Sequence, residues 1–423
     1  MSGREAPRIL IVGAGVAGLS CGLHATRLGA DVLVIDRASQ VGGRVATSSR
    51  DGALVDRGFQ ILLTAYPEVR RLLDLDRLRL ARFPAGAWIH DGRAFRRIAH
   101  PLRHPLIAAS SWVSGTVAAR DAIAMGRRAL RAMVRRPASP EVVGRSVAET
   151  VAPGLSPRFV DGFLRSFFGG VFLDRSLGTD VGQFEFCLAM FASGHAAVPT
   201  GGMAEIPRML AADLPPGSLR LGTTVTGIED RSVIFEDGTT DSADAVVVAV
   251  ESGESERLLG LEADRPRPWR STAMLVFDLP AEEAATSWLL LDGTGEGPIN
   301  HASFISCVSA NYAARGRAVL YANVVEDAMI ALDDAALESA SRRQLSGWFP
   351  DANVAGWRRL DLVRVPHALP RQHPPDLLGD RTVAVRPGIF RCGDHVGDAS
   401  LNGAMRSGRL AAEAAVASIR ARS

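Results

Sequence analysis

The sequence predicts an α/β protein built on a parallel, Rossmann-like nucleotide-binding sheet. Three observations carry that expectation. Near the N-terminus, three glycines sit between an apolar strand and a helix. Residues 219–250 alternate as strands and turns and end in a wholly apolar run. The C-terminal stretch "GIFRCGDHVGDASLNGAMRSGRLAAEAA", 388–415, repeats the order strand, glycine turn, helix.

The first element is the apolar run Ile9 to Val12, the signature of a central strand buried on both faces. Gly13, Gly15 and Gly18 then form G-x-G-x-x-G. In such a turn the first glycine bends the chain, the second lets a diphosphate approach the backbone, and the third lets the helix pack on the sheet. Val16 and Ala17 open that helix and offer unpaired N–H groups to phosphate. Leu19, Leu23 and Thr26 keep helical spacing, and Gly29 is a natural stop. A second strand, Asp31 to Ile35, ends at Asp36-Arg37. Asp36 lies 23 residues after Gly13, the distance at which an acid bonds a ribose hydroxyl. The glycine-rich "PTGGMAEIP" at 199–207 has the wrong spacing for another fingerprint, so a second nucleotide domain for NAD(P)H is not expected. Further on, Asp237-Gly238 reads as a hairpin turn and Ala245 to Val250 as a buried strand.

With 423 residues the chain has room for two domains, and 47% hydrophobic content is ample for a core. A net charge of +2 argues against a nucleic-acid partner. All 48 basic residues are arginine, so no lysine can form a Schiff base or act as a general base. Cys21, Cys187, Cys307 and Cys392 form no C-x-x-C and no metal spacing, which suits a reducing cytoplasm and no metal. The N-terminus reads as strand and glycine turn rather than signal peptide, so a cytoplasmic location is expected.

After Asp36 the chain reads Gly42-Gly43-Arg44 and then Asp56-Arg57-Gly58-Phe59. With the fingerprint before it, this pattern resembles the superfamily of flavin amine oxidases, phytoene desaturases and protoporphyrinogen oxidases. The resemblance implies non-covalent FAD, lying along Gly42, Gly43 and Arg44 and near Gly58, Phe59 and Gln60. It also implies an adenine contact at Val225, for which an ordinary strand valine is the alternative. At the C-terminal end it implies a second half of the site. There Gly393 and Asp394 approach the ribityl chain, and Asn402, Gly403 and Ala404 begin a helix facing the flavin ring. It covers 1–75, 200–264 and 376–423 as the FAD domain. One composite α+β substrate domain, 76–199 and 265–375, interrupts that domain twice.

The family's amine oxidases often use a lysine beside the flavin and an aromatic cage around the substrate nitrogen. Here lysine is absent, and Asp398, Ala399, Ser400 and Leu401 stand where a cage aromatic is expected. No catalytic acid or base is assigned. Gln60 and His395 are the candidates, and His367 is a further loop histidine. The expected activity is therefore phytoene desaturase-like oxidation of a hydrophobic, isoprenoid-like molecule, with hydride passing to flavin N5 and electrons leaving to oxygen or a quinone. The alternatives are an oxidase of an amine or tetrapyrrole, a flavin-assisted isomerase, and a flavin-bearing binding subunit without turnover.

Two stretches carry double readings. Phe159, Phe163, Phe167, Phe168, Phe172, Phe184, Phe186 and Phe191 read first as a core stripe, and otherwise as the wall of an apolar substrate tunnel. Residues 96–136 are strongly basic, with apolar Leu102, Leu106, Ala109 and Val113 and with Arg127, Arg128, Arg131 and Arg135. A solvated helical face is the favoured reading, and peripheral contact with an anionic membrane is the other.

Overall fold

The computed structural model describes residues 6–113, 117–135, 139–261, 268–374 and 382–422. Its first sheet has six strands in the order Leu219–Arg220, Asp31–Ile35, Arg8–Val12, Ala245–Val248, Ile389–Arg391, Ala384–Arg386. The first five run parallel and the last is antiparallel. Strands from the N-terminus, the middle and the C-terminus of the chain therefore meet in one layer.

The reason for the unbroken apolar runs is visible at Arg8–Val12. Ile9 and Ile11 enter the core on one side of the sheet, and Leu10 and Val12 enter a separate core on the other. Helices Val16–Arg27 and Leu401–Arg422 pack against each other, with Cys21, Ala25, Ala411, Ala412 and Ala415 in their shared core. The predicted hairpin is a three-stranded meander, Val225–Glu229, Ser232–Phe235 and Thr240–Ser242. Asp237-Gly238 makes its second turn. Asp230, held at φ +47°, makes its first, which the sequence reading did not mark.

The second large sheet has seven strands. Five come from later in the chain, in the order Arg358–Pro370, Trp269–Pro280, Arg317–Val324, Ile299–Phe304, Leu289–Asp292, and Gly86–His90 and Phe95–Ala99 complete it. The parallel pairing of Leu289–Asp292 with Gly86–His90 joins the two chain segments. On this sheet rest Phe163 and Phe167, packed on Ala87, Ile89 and Leu291. The domain boundaries expected at 264/265 and 375/376 fall outside the described residues.

The basic stretch is not one helix. It is the strand Phe95–Ala99 followed by helices Pro105–Val113 and Ala119–Arg135, with residues 114–116 and 136 outside the description. Its outer surface is exposed to solvent, as expected, and carries apolar Leu102, Leu106, Ile123, Leu130 and Val134 beside Arg120, Arg127 and Arg131.

Candidate functional site

One cavity of about 1140 Å³ takes its wall from both large sheets. That exceeds the roughly 300–1,000 Å³ of an ordinary small-molecule pocket. From the first sheet and its turns come Gly13, Gly15, Val16, Ala17, Asp36, Arg37, Gly42, Gly43, Arg44 and Val225. Gly58, Phe59, Gln60, Gly393, Asp394, His395 and Ala404 also line it. From the second come Leu289, Leu291, His301 and Asn323.

The glycine turn explains itself sterically. A Cβ at Gly18 would fall 1.9 Å from the Gly13 carbonyl oxygen, so this glycine serves helix packing. A Cβ at Gly15 would meet nothing within 4 Å, although Gly15 is in the cavity wall. The space beside Gly15 is thus open for a ligand. Helix Val16–Arg27 starts there, with no acid in its first turn, so its N-terminal N–H groups carry undiminished partial positive charge. Asp36, at the end of the neighbouring strand, accepts from the Ala14 and Ala38 N–H groups at 2.6 and 2.8 Å, which orients its carboxylate beside the turn.

Arg44 ties the two glycine turns together. Its guanidinium donates to both Asp394 oxygens at 2.7 and 2.6 Å and to the Ala368 carbonyl at 3.1 Å, and it lies 5.0 Å over the Trp269 ring. Burial works against the Arg44 charge, but Asp394 outweighs it, so the guanidinium pKa stands above its ordinary value. Gln60 donates from Nε2 to the Arg44 and Arg57 carbonyls, both at 2.9 Å. Its amide group therefore braces the Gly42-Gly43-Arg44 turn. His367 pairs with Glu251 at 2.7 Å.

Much of the remaining wall is apolar. Phe159, Phe163, Phe167, Phe168, Phe172 and Phe191 line it, while Phe184 and Phe186 are core side chains away from it. Six of the eight phenylalanines therefore border the cavity, and Phe168 and Phe172 among them belong to the core as well. A π-helical segment, Val160–Leu164, lies within the helix carrying them, and such segments recur at functional sites. Phe163 sits 5.2 Å from both Phe159 and Phe167.

Across this site and this fold, a family profile matches the chain from residue 16 to 416, that of the flavin containing amine oxidoreductases. The chain belongs to that family. This flavin-containing amine oxidoreductase family member is an oxidoreductase. It is 26% identical over 408 residues to a carotenoid phi-ring synthase of Streptomyces griseus, with 83% of this chain and 75% of the relative covered. It is 28% identical over 303 residues to a phytoene dehydrogenase of the same organism, with 64% and 59% covered. Its fold matches an oxidoreductase of Methanosarcina mazei with a TM-score of 0.75 at 16% identity, covering 95% and 98% of the two chains.

Three of the predicted positions in this family member do not reach the cavity wall. Gly18 is one, for the packing reason above. Asn402 is fully buried and its Oδ1 accepts from the Glu68 N–H at 3.1 Å. Gly403 leaves no room for a ring, because a Cβ there would fall 1.9 Å from Asp398 Oδ1. Ser400, Leu401 and Ala404 bring the start of the C-terminal helix to the cavity instead. At Gly393, φ is +150° and a Cβ would fall 2.5 Å from the His395 imidazole, so the missing side chain makes room for His395.

Tyr66 and His301 are titratable wall residues that the sequence did not mark. Tyr66 is buried against Phe186, with ring centroids 5.9 Å apart. Burial, then Cys187 and Asp398, pushes its phenol well above the ordinary value, so it stays protonated. His301 is buried 4.9 Å from the Phe59 ring, and burial, aided by Arg175, lowers its pKa to about 3. With Asn300 Nδ2 donating to Nδ1 at 2.9 Å, the neutral ring carries its proton on Nε2. No local motif flags either residue, because each reaches the cavity only through sheet pairing and helix packing.

Proposed function

We propose that this chain is an FAD-dependent oxidoreductase of the phytoene desaturase type, acting on an apolar, isoprenoid-like molecule. The observation that carries this reading is the single cavity. Asp36, Arg37, Arg44 and Asp394 bring charge to it from the nucleotide turns, Arg57, Arg103, Glu251 and Glu254 stand elsewhere on its wall, and six phenylalanines supply an apolar stretch to the same space.

The residues present suit FAD. The Val16 and Ala17 N–H groups and the Arg44 guanidinium would hold the diphosphate, in the space left open beside Gly15. Asp36 would accept a ribose hydroxyl, and the Val225 backbone would meet the adenine. Asp394 would accept from the ribityl chain while keeping Arg44 in place. The N-terminus of helix Leu401–Arg422 would favour negative charge near the ring. FAD, when bound, supplies the two-electron acceptor for hydride. Cys392 is buried and off the cavity wall, which supports non-covalent binding. The rest of the protein's task is alignment and exclusion of water. The phenylalanine wall would orient a long apolar substrate, and neutral His301 would offer a hydrogen-bond donor without an added charge. The absence of lysine supports this reading over amine oxidation. Oxygen or a quinone would take the electrons on, in the cytoplasm.

The test is mass spectrometry of apolar extracts from cells expressing the protein, against an empty control, with anaerobic bleaching of the flavin by the same substrates. A product two hydrogens lighter supports the proposal. Isomers of unchanged mass would move the protein to flavin-assisted isomerisation, and peroxide release with simple amines to amine oxidation. A purified protein that takes up no FAD would end the reading.

A further inference from the structure

We infer that this protein docks on an anionic phospholipid bilayer through the outer face of helices Pro105–Val113 and Ala119–Arg135, and that its cavity opens onto the bilayer there. Leu102 is 89% exposed, Leu106 85%, Ile123 54%, Leu130 58% and Val134 74%. These are five of the eight exposed large apolar side chains among the described residues, gathered on the two helices and the turn before the first. Monomeric proteins rarely leave such a cluster bare unless something apolar covers it. Ile123, Leu130 and Val134 follow one another at intervals of seven and four, which places them on one side of their helix.

Charge decides what covers the face. Residues 96–135 hold eight arginines and one acid, Asp121. That acid is fully buried and accepts from the Ser156 N–H and hydroxyl at 2.9 and 2.5 Å, so it does not reach the surface. Glu185, from the neighbouring helix, partly answers Arg128 and Arg135 at 2.5 and 3.8 Å. Arg120, 3.8 Å from Asp121, is exposed beside the apolar stripe, as are Arg127 and Arg131. Apolar side chains flanked by arginines match a layer with an acyl interior and anionic headgroups. No helix among the described residues is long and apolar enough to cross a membrane, so contact would be peripheral.

The same helix forms the cavity's edge. Ala122, Met125, Ala129 and Met133 line the cavity, and Leu102 and Leu130 belong both to its wall and to the exposed face. An apolar molecule dissolved in the bilayer could therefore enter without crossing water. This portal rests on the functional reading above, whereas the docking itself does not.

The test is flotation of the full-length, flavin-loaded protein with vesicles of phosphatidylcholine, alone or mixed with phosphatidylglycerol. We expect flotation with the mixed vesicles at low salt and weaker flotation at high salt. Arg127→Ser and Arg131→Ser should each lower partitioning about fivefold. The triple variant Leu106→Gln, Ile123→Gln, Val134→Gln, whose residues do not line the cavity, should lose flotation while keeping its flavin. Failure of the wild type to float with anionic vesicles at low salt overturns the inference, as does equal flotation of the triple variant. So does a wild-type dimer that the triple variant converts to monomer, because a second copy would then own this face. Protein that floats but takes up no flavin supports the docking and sinks only the functional reading.

Discussion

Arg44 and Asp394 stand 350 residues apart in the chain and share a two-pronged ion pair at 2.7 and 2.6 Å. The pair closes the gap between the N-terminal Gly-Gly-Arg turn and the C-terminal Gly-Asp turn, each beside the end of a parallel strand in one sheet. Asp394 is 7% exposed and Arg44 34%. Removing the arginine would therefore leave a nearly buried carboxylate alone. We expect Arg44→Ala to cost roughly 2 kcal/mol in urea unfolding, less than a fully buried pair because water reaches Arg44. Arg44→Lys should keep the charge, lose the fork, and weaken FAD binding about tenfold in a flavin fluorescence titration. Unchanged affinity would remove Arg44 from the site.

The two glycines of the first turn should fail differently. Gly15→Ala should fold as the wild type does but bind FAD poorly, because its methyl enters the open space beside the helix N-terminus. Gly18→Ala should lose about 1–3 kcal/mol of stability through overpacking against the Gly13 carbonyl. Thermal unfolding of the two apoproteins, set beside their flavin affinities, separates the cases. Equal behaviour would contradict the roles assigned here.

The substrate path predicts a third variant. Ala129→Trp, at the edge formed by Ala119–Arg135, should leave flavin binding unchanged and slow anaerobic flavin reduction by an apolar substrate. An unaltered reduction rate would show that substrate enters elsewhere.

His301 makes stability depend on pH. Its folded pKa is about 3, below the ordinary 6.5, so the unfolded chain takes up a proton first as pH falls. The stability it confers is complete above pH 6.5 and is lost on descending towards pH 3, at about 1.4 kcal/mol per pH unit. In that window, His301→Asn should lower the slope of unfolding free energy against pH by one proton. An unchanged slope would mean that His301 is already protonated in the native protein.

Local patterns in the sequence determined the nucleotide half of this protein. The Arg8–Val12 strand, the turn through Gly18, the acid Asp36 and the Gly42–Arg44 turn each depend on neighbours a few residues away. Apolar runs, helical spacing and glycine positions encode such features directly. The chemistry suited to the cavity was partly legible as well, because the missing lysine and the missing aromatic at Asp398–Leu401 are facts of composition and position. What only the tertiary structure decided is how distant segments meet. It joined Arg44 to Asp394, turned Gln60 into a brace for the Arg44 turn, and gave the room at Gly403 to Asp398. It also sorted the phenylalanines, sending Phe163 and Phe167 to the cavity and Phe184 and Phe186 to the core. Helical spacing says that side chains share a face but not what that face meets. Tyr66 and His301 entered the wall by the same route, since burial and partners come from packing across sheets rather than from the order of residues along the chain.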